Sequence, residues 1–235
     1  PPRSTLFPYT TLFRSAIIVE PIPGSMTVVR PEPEFLSGLR TLCDQHQVLL
    51  IFDEVLSGCR VALGGAQEIF GIQPDLTCLG KALAGGMPIG AYGGKREFME
   101  QVAPLGPIYQ AGTFCGNPLT VRCGLANLQY LGQPNRYSQL AALTEDLCGR
   151  LRGLDPQLQV VAYPGMFGLY FAPQPVTSHR QLASVDQPRF AKLFHHLLQG
   201  GFYLPPSCLD AAGLSLVHTS QEIEEFVTLL AKGLS

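Results

Sequence analysis

Leu49-Leu50-Ile51-Phe52-Asp53-Glu54-Val55, taken with Leu79-Gly80-Lys81-Ala82-Leu83 further along, decides how the chain is read. The first stretch is an apolar run ending in two acids. The second places a lysine after a glycine, 28 positions beyond Asp53. A short, uninterrupted apolar run bounded by polar residues reads as a buried strand of a parallel sheet.

Upstream, Ala16-Ile17-Ile18-Val19-Glu20 is a second such run, closed by Pro21 and Pro23, which cannot extend a ladder. Between the two runs, Pro33 sits at an expected first helical turn. Phe35, Leu36, Leu39, Leu42 and Cys43 follow at helical spacing, and a strand is expected over Val48 to Phe52. Strand, helix and strand in this order form a βαβ unit, with Glu20 and Asp53 at the carboxyl ends of parallel strands. Ligands bind along that edge of an open α/β sheet.

Downstream, a glycine-rich segment from Ser57 to Gln67 is too long and irregular for a simple connection, and such loops tend to be functional. Leu76 to Leu79 is the next expected strand, and it delivers Lys81. Gly85 and Gly86 beyond it carry no side chain to crowd a bulky group. A strand over Gly90 to Gly93, a short helix over Lys95 to Gln101 and a helix over Leu119 to Tyr130 follow. The Gly-punctuated loop Tyr109 to Pro118 precedes that last helix. From Tyr137 the character changes. Leu140, Leu143, Leu147, Cys148 and Leu151 mark a long helix, and strands are expected near Val160 to Tyr163 and Gly168 to Phe171. A proline-rich loop runs through Pro173, Pro175 and Ser178. Phe190, Leu193, Phe194, Leu197 and Leu198 mark another helix, stopped by Gly200-Gly201. Thr219 to Glu222 is a capping box opening a final helix that closes at Lys232-Gly233. His195 and His196 lie on the edge of their helix and read as packing or surface residues.

The chemistry legible in this pattern centres on Asp53 and Lys81. A carboxylate against a pyridinium nitrogen and a Schiff-base lysine are what a protein contributes to pyridoxal-phosphate catalysis. Each residue also has a plain structural reading, as the start of a loop and as a solvated lysine. Thr113, close to the start of a helix, has a hydroxyl suited to a phosphate, and the same loop is equally an ordinary helix lead-in.

Composition narrows the field. With 235 residues, 14% charged and 46% hydrophobic, and a net charge of -2, the chain reads as a globular protein with no basic patch for nucleic acid. No run of about 18 apolar residues argues for a membrane span. Seven scattered cysteines without a C-x-x-C pair point to reduced thiols in a cytoplasmic setting, and no metal ligation is expected. Residues 1–15 stand apart: Thr5 to Ser15 resembles the translation of a common DNA-sequencing adapter, so 1–15 is excluded from fold reasoning. The expected organisation is therefore a non-native segment over 1–15, a partial cofactor-binding domain over 16–136, and a linker helix with a smaller domain over 137–235.

Several motifs together carry a family resemblance. They are Val19-Glu20-Pro21, Leu50 to Val55, Arg60-Val61-Ala62-Leu63-Gly64-Gly65-Ala66-Gln67-Glu68, Pro74-Asp75-Leu76-Thr77, Leu79-Gly80-Lys81, Pro88 to Gly94 and Tyr109 to Thr113. The chain resembles the class III aminotransferases of the fold-type I pyridoxal-phosphate enzymes, and its Arg60 to Glu68 loop is similar to that of their aminomutase branch. The resemblance implies an α/β fold comprising part of the large mixed-sheet domain plus the small C-terminal α+β domain. It implies pyridoxal 5'-phosphate as cofactor, with a pyridoxamine form in the cycle, and a homodimer acting on a small amino-aldehyde. The implied reaction is isomerisation of glutamate 1-semialdehyde to 5-aminolevulinate, for tetrapyrrole synthesis.

Residue by residue, the resemblance implies that Lys81 carries the cofactor and moves protons, Asp53 holds the pyridine nitrogen protonated, and Val55 packs on the ring. Thr113 would reach the phosphate, in this family from the neighbouring subunit, and Asp210 lies where the family has a glutamate near the substrate. Ser25, in Pro21-Ile22-Pro23-Gly24-Ser25, replaces the aminomutases' asparagine at the cofactor's ring oxygen. The family's N-terminal half, with its phosphate cup, has no counterpart here, which implies a fragment inactive by itself. Two other readings stay open: a class III transaminase for ω-amines or amino acids, and a non-catalytic α/β fragment.

Overall fold

The computed structural model describes residues 16–234, so the adapter-like segment lies outside the described residues. Two compact units form, and each has its own sheet.

The first unit takes in residues 16–21, 32–59 and 64–130. Its sheet has the order β1 (Ala16–Val19), β2 (Leu49–Glu54), β3 (Leu76–Gly80), β4 (Gly90–Gly94). β1, β2 and β3 run parallel, and β4 returns antiparallel to β3. Helix α1 (Phe35–His46) connects β1 to β2 and stops at Gln47, whose left-handed φ of 54° turns the chain. Only Leu36 and Cys43 of the expected stripe are buried, against Leu50 and Phe52, while Phe35 and Leu42 stay about half exposed. β2 extends two residues beyond the expected Phe52, because Asp53 and Glu54 keep pairing with Cys78 and Leu79.

The segment expected to be irregular up to Gln67 contains the start of a helix, α2 (Gly65–Phe70). Six residues are too few to display a helical period. A one-turn helix α3 (Arg96–Met99) follows β4, and α4 (Pro118–Leu131) closes the unit, its first amides at Leu119 and Thr120 accepted by the Asn117 side chain.

The second unit comprises 131–235 with two earlier segments, 22–31 and 60–63, which the sequence reading placed in the first domain. Backbone bonds explain the reassignment of the first segment: Thr27 N–H donates to Leu209 O and Ala211 N–H to Gly24 O, both at 2.8 Å. Thr27 and Val28 adopt left-handed φ values of 71° and 60°, unusual for such residues, and both are wholly buried. Gly168 lets this segment pass, since a Cβ there would stand 1.8 Å from the Thr27 carbonyl oxygen.

Helix α5 (Arg136–Leu151), strands β5 (Leu158–Tyr163) and β6 (Met166–Phe171), helix α6 (Gln187–Gln199), strand β7 (Ala212–Gly213) and helix α7 (Ser220–Leu234) complete the unit. All three strands pair antiparallel, in the order β5-β6-β7. β6 is buried along its whole length, and its Phe167, Leu169, Tyr170 and Phe171 join Leu147, Leu151, Leu193, Leu197 and Leu230 in one core. Thr144 is buried among the α5 leucines and is satisfied there: its hydroxyl donates to Leu140 O and accepts from Gly165 N–H. The expected proline-rich loop leads into a 3-10 helix, His179–Ser184, opened by a Ser178 and Gln181 capping box. Thr219 and Glu222 cap α7 reciprocally, as the spacing predicts.

Candidate active site

Strand alternation sets the first residue of the site. In β2, Leu50, Phe52 and Glu54 point into the core, so Leu49, Ile51 and Asp53 line the opposite, partly exposed face. Asp53 stands next to last in β2, and its Oδ1 accepts the N–H of Val55 at 3.1 Å. Among the described residues no cation forms an ion pair with it.

Lys81 comes from the adjacent strand. β3 ends at Gly80, and Lys81 opens a 3-10 turn, Lys81–Ala84, capped by Gly85. The lysine is exposed and its φ of 41° is left-handed, a conformation costing a non-glycine residue about 1–2 kcal/mol. Val55 lies against this turn: a Cβ added at Gly80 would be 3.3 Å from Val55 Cγ1 and from Ile89 O. Asp53, Val55 and Lys81 therefore share the carboxyl ends of two neighbouring parallel strands. The set offers an acid for a protonated ring nitrogen, a branched apolar side chain, and a primary amine for an aldehyde. That chemistry fits pyridoxal phosphate.

Glu54 points the other way and is wholly buried. Its carboxylate accepts from Ser57 Oγ at 2.9 Å, from the backbone N–H groups of Ala66 and Gln67, and from Gln67 Nε2 at 3.1 Å. Those two amides belong to the first turn of α2, which would otherwise leave them without an intrahelical partner. Gly65, at φ +71°, makes room, since a Cβ there would lie 2.2 Å from Glu54 Oε2. Glu54 thus ties the glycine-rich loop to the strand that carries Asp53. The residue pattern assigned it no role, although it stands 10 positions ahead of the Gly64-Gly65-Ala66-Gln67 run.

Asp75 precedes β3 at its opposite end and is 3% exposed. It accepts from Leu50 N–H at 2.7 Å and pairs with Arg40 and Lys95. Burial by itself would raise its pKa, but the bonds from Lys95, Leu50 N–H and Arg40 outweigh that and hold the carboxyl below its ordinary range.

The remaining predicted residues belong to other segments. Thr113 is exposed in the loop ahead of α4, and no described contact joins it to Asp53, Val55 or Lys81. Ser25 and Asp210 are exposed in the second unit. The Gly24–Ala211 and Thr27–Leu209 backbone bonds bracket them and bring two residues 185 positions apart to one place. That unit also carries a half-open, mostly apolar cavity of about 100 Å³ between Phe167, Phe202, Leu214 and Phe226, whose lining includes His218 and Glu222 but no lysine or aspartate. Among the described residues, no group of three His, Cys, Asp or Glu could hold a metal, and no helix is long and apolar enough to cross a membrane.

The aminotransferase class-III family model matches residues 14–228. A curated relative, glutamate-1-semialdehyde 2,1-aminomutase 2 of Brevibacillus brevis, is 48% identical over 217 residues, covering 91% of this chain and 51% of the relative. The crystal structure of an omega-transaminase from Sphaerobacter thermophilus matches with a TM-score of 0.87 at 30% identity, over 98% of this chain and 54% of that one. A glutamate-1-semialdehyde aminomutase from Pseudomonas aeruginosa PAO1 shares the fold, with a TM-score of 0.83 at 24% identity over 93% of this chain and 51% of its own. The chain spans about half the length of the curated relative it matches.

Proposed function

The chain belongs to the class III aminotransferases, fold-type I pyridoxal-phosphate enzymes, and from that premise we propose that it serves the isomerisation of glutamate 1-semialdehyde to 5-aminolevulinate. The placement of Asp53 and Lys81 at adjacent carboxyl ends of parallel strands carries this reading, and the 48% identity to an aminomutase supports the choice of reaction.

When bound, pyridoxal phosphate supplies an electron sink for the charge left on a deprotonated carbon next to nitrogen. Asp53 is the group that would hold the ring nitrogen protonated. Lys81, through its amine, would hold the cofactor and, as a free amine, would move a proton between each reacting substrate carbon and the cofactor's C4′. Val55 would pack on the ring face, Thr113 of a neighbouring copy in a homodimer would reach the phosphate, and Ser25 would donate to the ring oxygen. Asp210 would sit near the substrate's amino groups. The other half of the site would come from the part of the family's length that this chain does not span.

A second reading, a transaminase for ω-amines or amino acids, is favoured by Ser25 in place of asparagine and by the 30% identity to an omega-transaminase. A direct test joins residues 16–235 behind the first half of the Brevibacillus brevis relative and supplies glutamate 1-semialdehyde. The proposal expects 5-aminolevulinate, formed faster than any amino exchange with 2-oxoglutarate or pyruvate. Faster exchange would favour the transaminase, and neither activity would leave a non-catalytic α/β body.

A further inference from the structure

Lys81 has a backbone that its own side chain does not favour, so something outside the turn must hold it. At the end of the Lys81–Ala84 turn, Gly85 N–H reaches Ala82 O and Met87 N–H reaches Ala84 O, both at 3.3 Å. A shorter bond comes from α4, 45 positions along the chain. Asn127 Nδ2 donates to Ala82 O at 2.6 Å and lies 3.5 Å from Leu83 O. Ala82 O thus accepts twice, at long range from Gly85 N–H and at close range from Asn127, so the side chain adds a second donor where a short helical turn leaves its carbonyls poorly satisfied.

The packing around this contact is close. Gly124, one helical turn before Asn127, is buried, and a Cβ there would stand 3.5 Å from Leu83 O. Gly85, at φ +58°, sits where a Cβ would be 3.3 Å from Asn127 Cβ and Cγ. Ala84 beneath is wholly buried. Thr120, Gly124 and Asn127 thus form the stripe by which α4 seats on the lysine turn, while Leu119, Val121 and Leu125 on its other faces remain exposed. Within this stripe only Asn127 meets the turn with a side-chain donor.

We propose that Asn127 is a positioning residue for Lys81, clamping the carbonyls of its turn so that the lysine keeps its left-handed backbone and presents its amine beside Asp53. The part of this proposal that concerns the cofactor rests on the function proposed above, and the clamp itself does not.

The test uses the whole chain with Asn127→Ala, the near-isosteric Asn127→Asp, which loses the donor, and Asn127→Gln, which restores it. Amide hydrogen exchange reads the turn at Gly85 and Met87 without cofactor. Borohydride trapping of pyridoxal phosphate, mapped by peptide, reads Lys81 against Lys95, Lys192 and Lys232. In Asn127→Ala and Asn127→Asp, exchange at Gly85 and Met87 is expected to quicken about five- to tenfold, the effect of one lost hydrogen bond. Labelling of Lys81 alone is expected to fall by a similar factor, at an unchanged denaturation midpoint, with recovery in Asn127→Gln. Unchanged exchange in Asn127→Asp overturns the clamp, as does an equal fall of labelling at all four lysines. If Lys81 of the unaltered chain is labelled no more than the other three while exchange still responds, the clamp stands and the cofactor reading fails.

Discussion

Asp75 and Asp53 mark opposite ends of the same pair of strands, and the fold treats them differently. At the start of β3, Asp75 is buried and engaged by a backbone N–H, Arg40 and Lys95, so its charge goes into joining α1, β2 and the turn after β4. Near the end of β2, Asp53 is partly exposed and its hydrogen bond is to the Val55 N–H two residues on. The first carboxylate is consumed by structure, whereas the second keeps acceptor capacity on the edge where open α/β sheets bind ligands. Glu54, next to Asp53 in sequence, behaves like Asp75 because strand alternation turns it inward. One step along a strand separates a structural acid from a chemical one.

The contrast can be broken by substitution. Asp75→Ala leaves Arg40, Lys95 and the Leu50 N–H without their acceptor, and should cost about 2–4 kcal/mol in a urea denaturation series. A loss below about 1 kcal/mol would mean that this carboxylate is no more structural than Asp53. Glu54→Gln keeps the shape but turns an amide donor toward the N–H groups of Ala66 and Gln67, with an expected cost of about 1–3 kcal/mol.

Acid sharpens the comparison without mutation. The folded-state pKa of Asp75 lies below its unfolded value near 3.9, so its contribution is fully present above that value and is lost as pH falls through the folded pKa. The stability difference between unaltered chain and Asp75→Asn, measured from pH 6 down to pH 3, should therefore shrink below about pH 4. Asp53→Asn should give the smallest stability change, within about 0.5 kcal/mol, because no buried partner is stranded.

Much of this division was legible in the residues. The apolar run before Asp53 and the strand before Lys81 gave the sheet, and helical stripes with caps gave α5, α6 and α7. The short elements were less legible. α2 and the 3-10 helix at His179 are each six residues long, too short to display a period, and the latter falls where the residues read as a proline-rich loop. The reach of Asn127 to Ala82 and of Glu54 to Ala66 joins residues that no local period relates. Likewise, the return of 22–31 to the second unit depends on backbone pairing with Leu209 and Ala211, which side-chain patterns do not encode.

The claim that Asp53 and Lys81 were left by the fold for a cofactor is tested most directly by borohydride trapping of pyridoxal phosphate on the protein joined to its relative's first half. The account predicts that label concentrates on Lys81, vanishes from that peptide in Lys81→Ala, and falls several-fold in Asp53→Asn at unchanged stability. Label spread evenly over Lys81, Lys95, Lys192 and Lys232, and indifferent to Asp53, would contradict it.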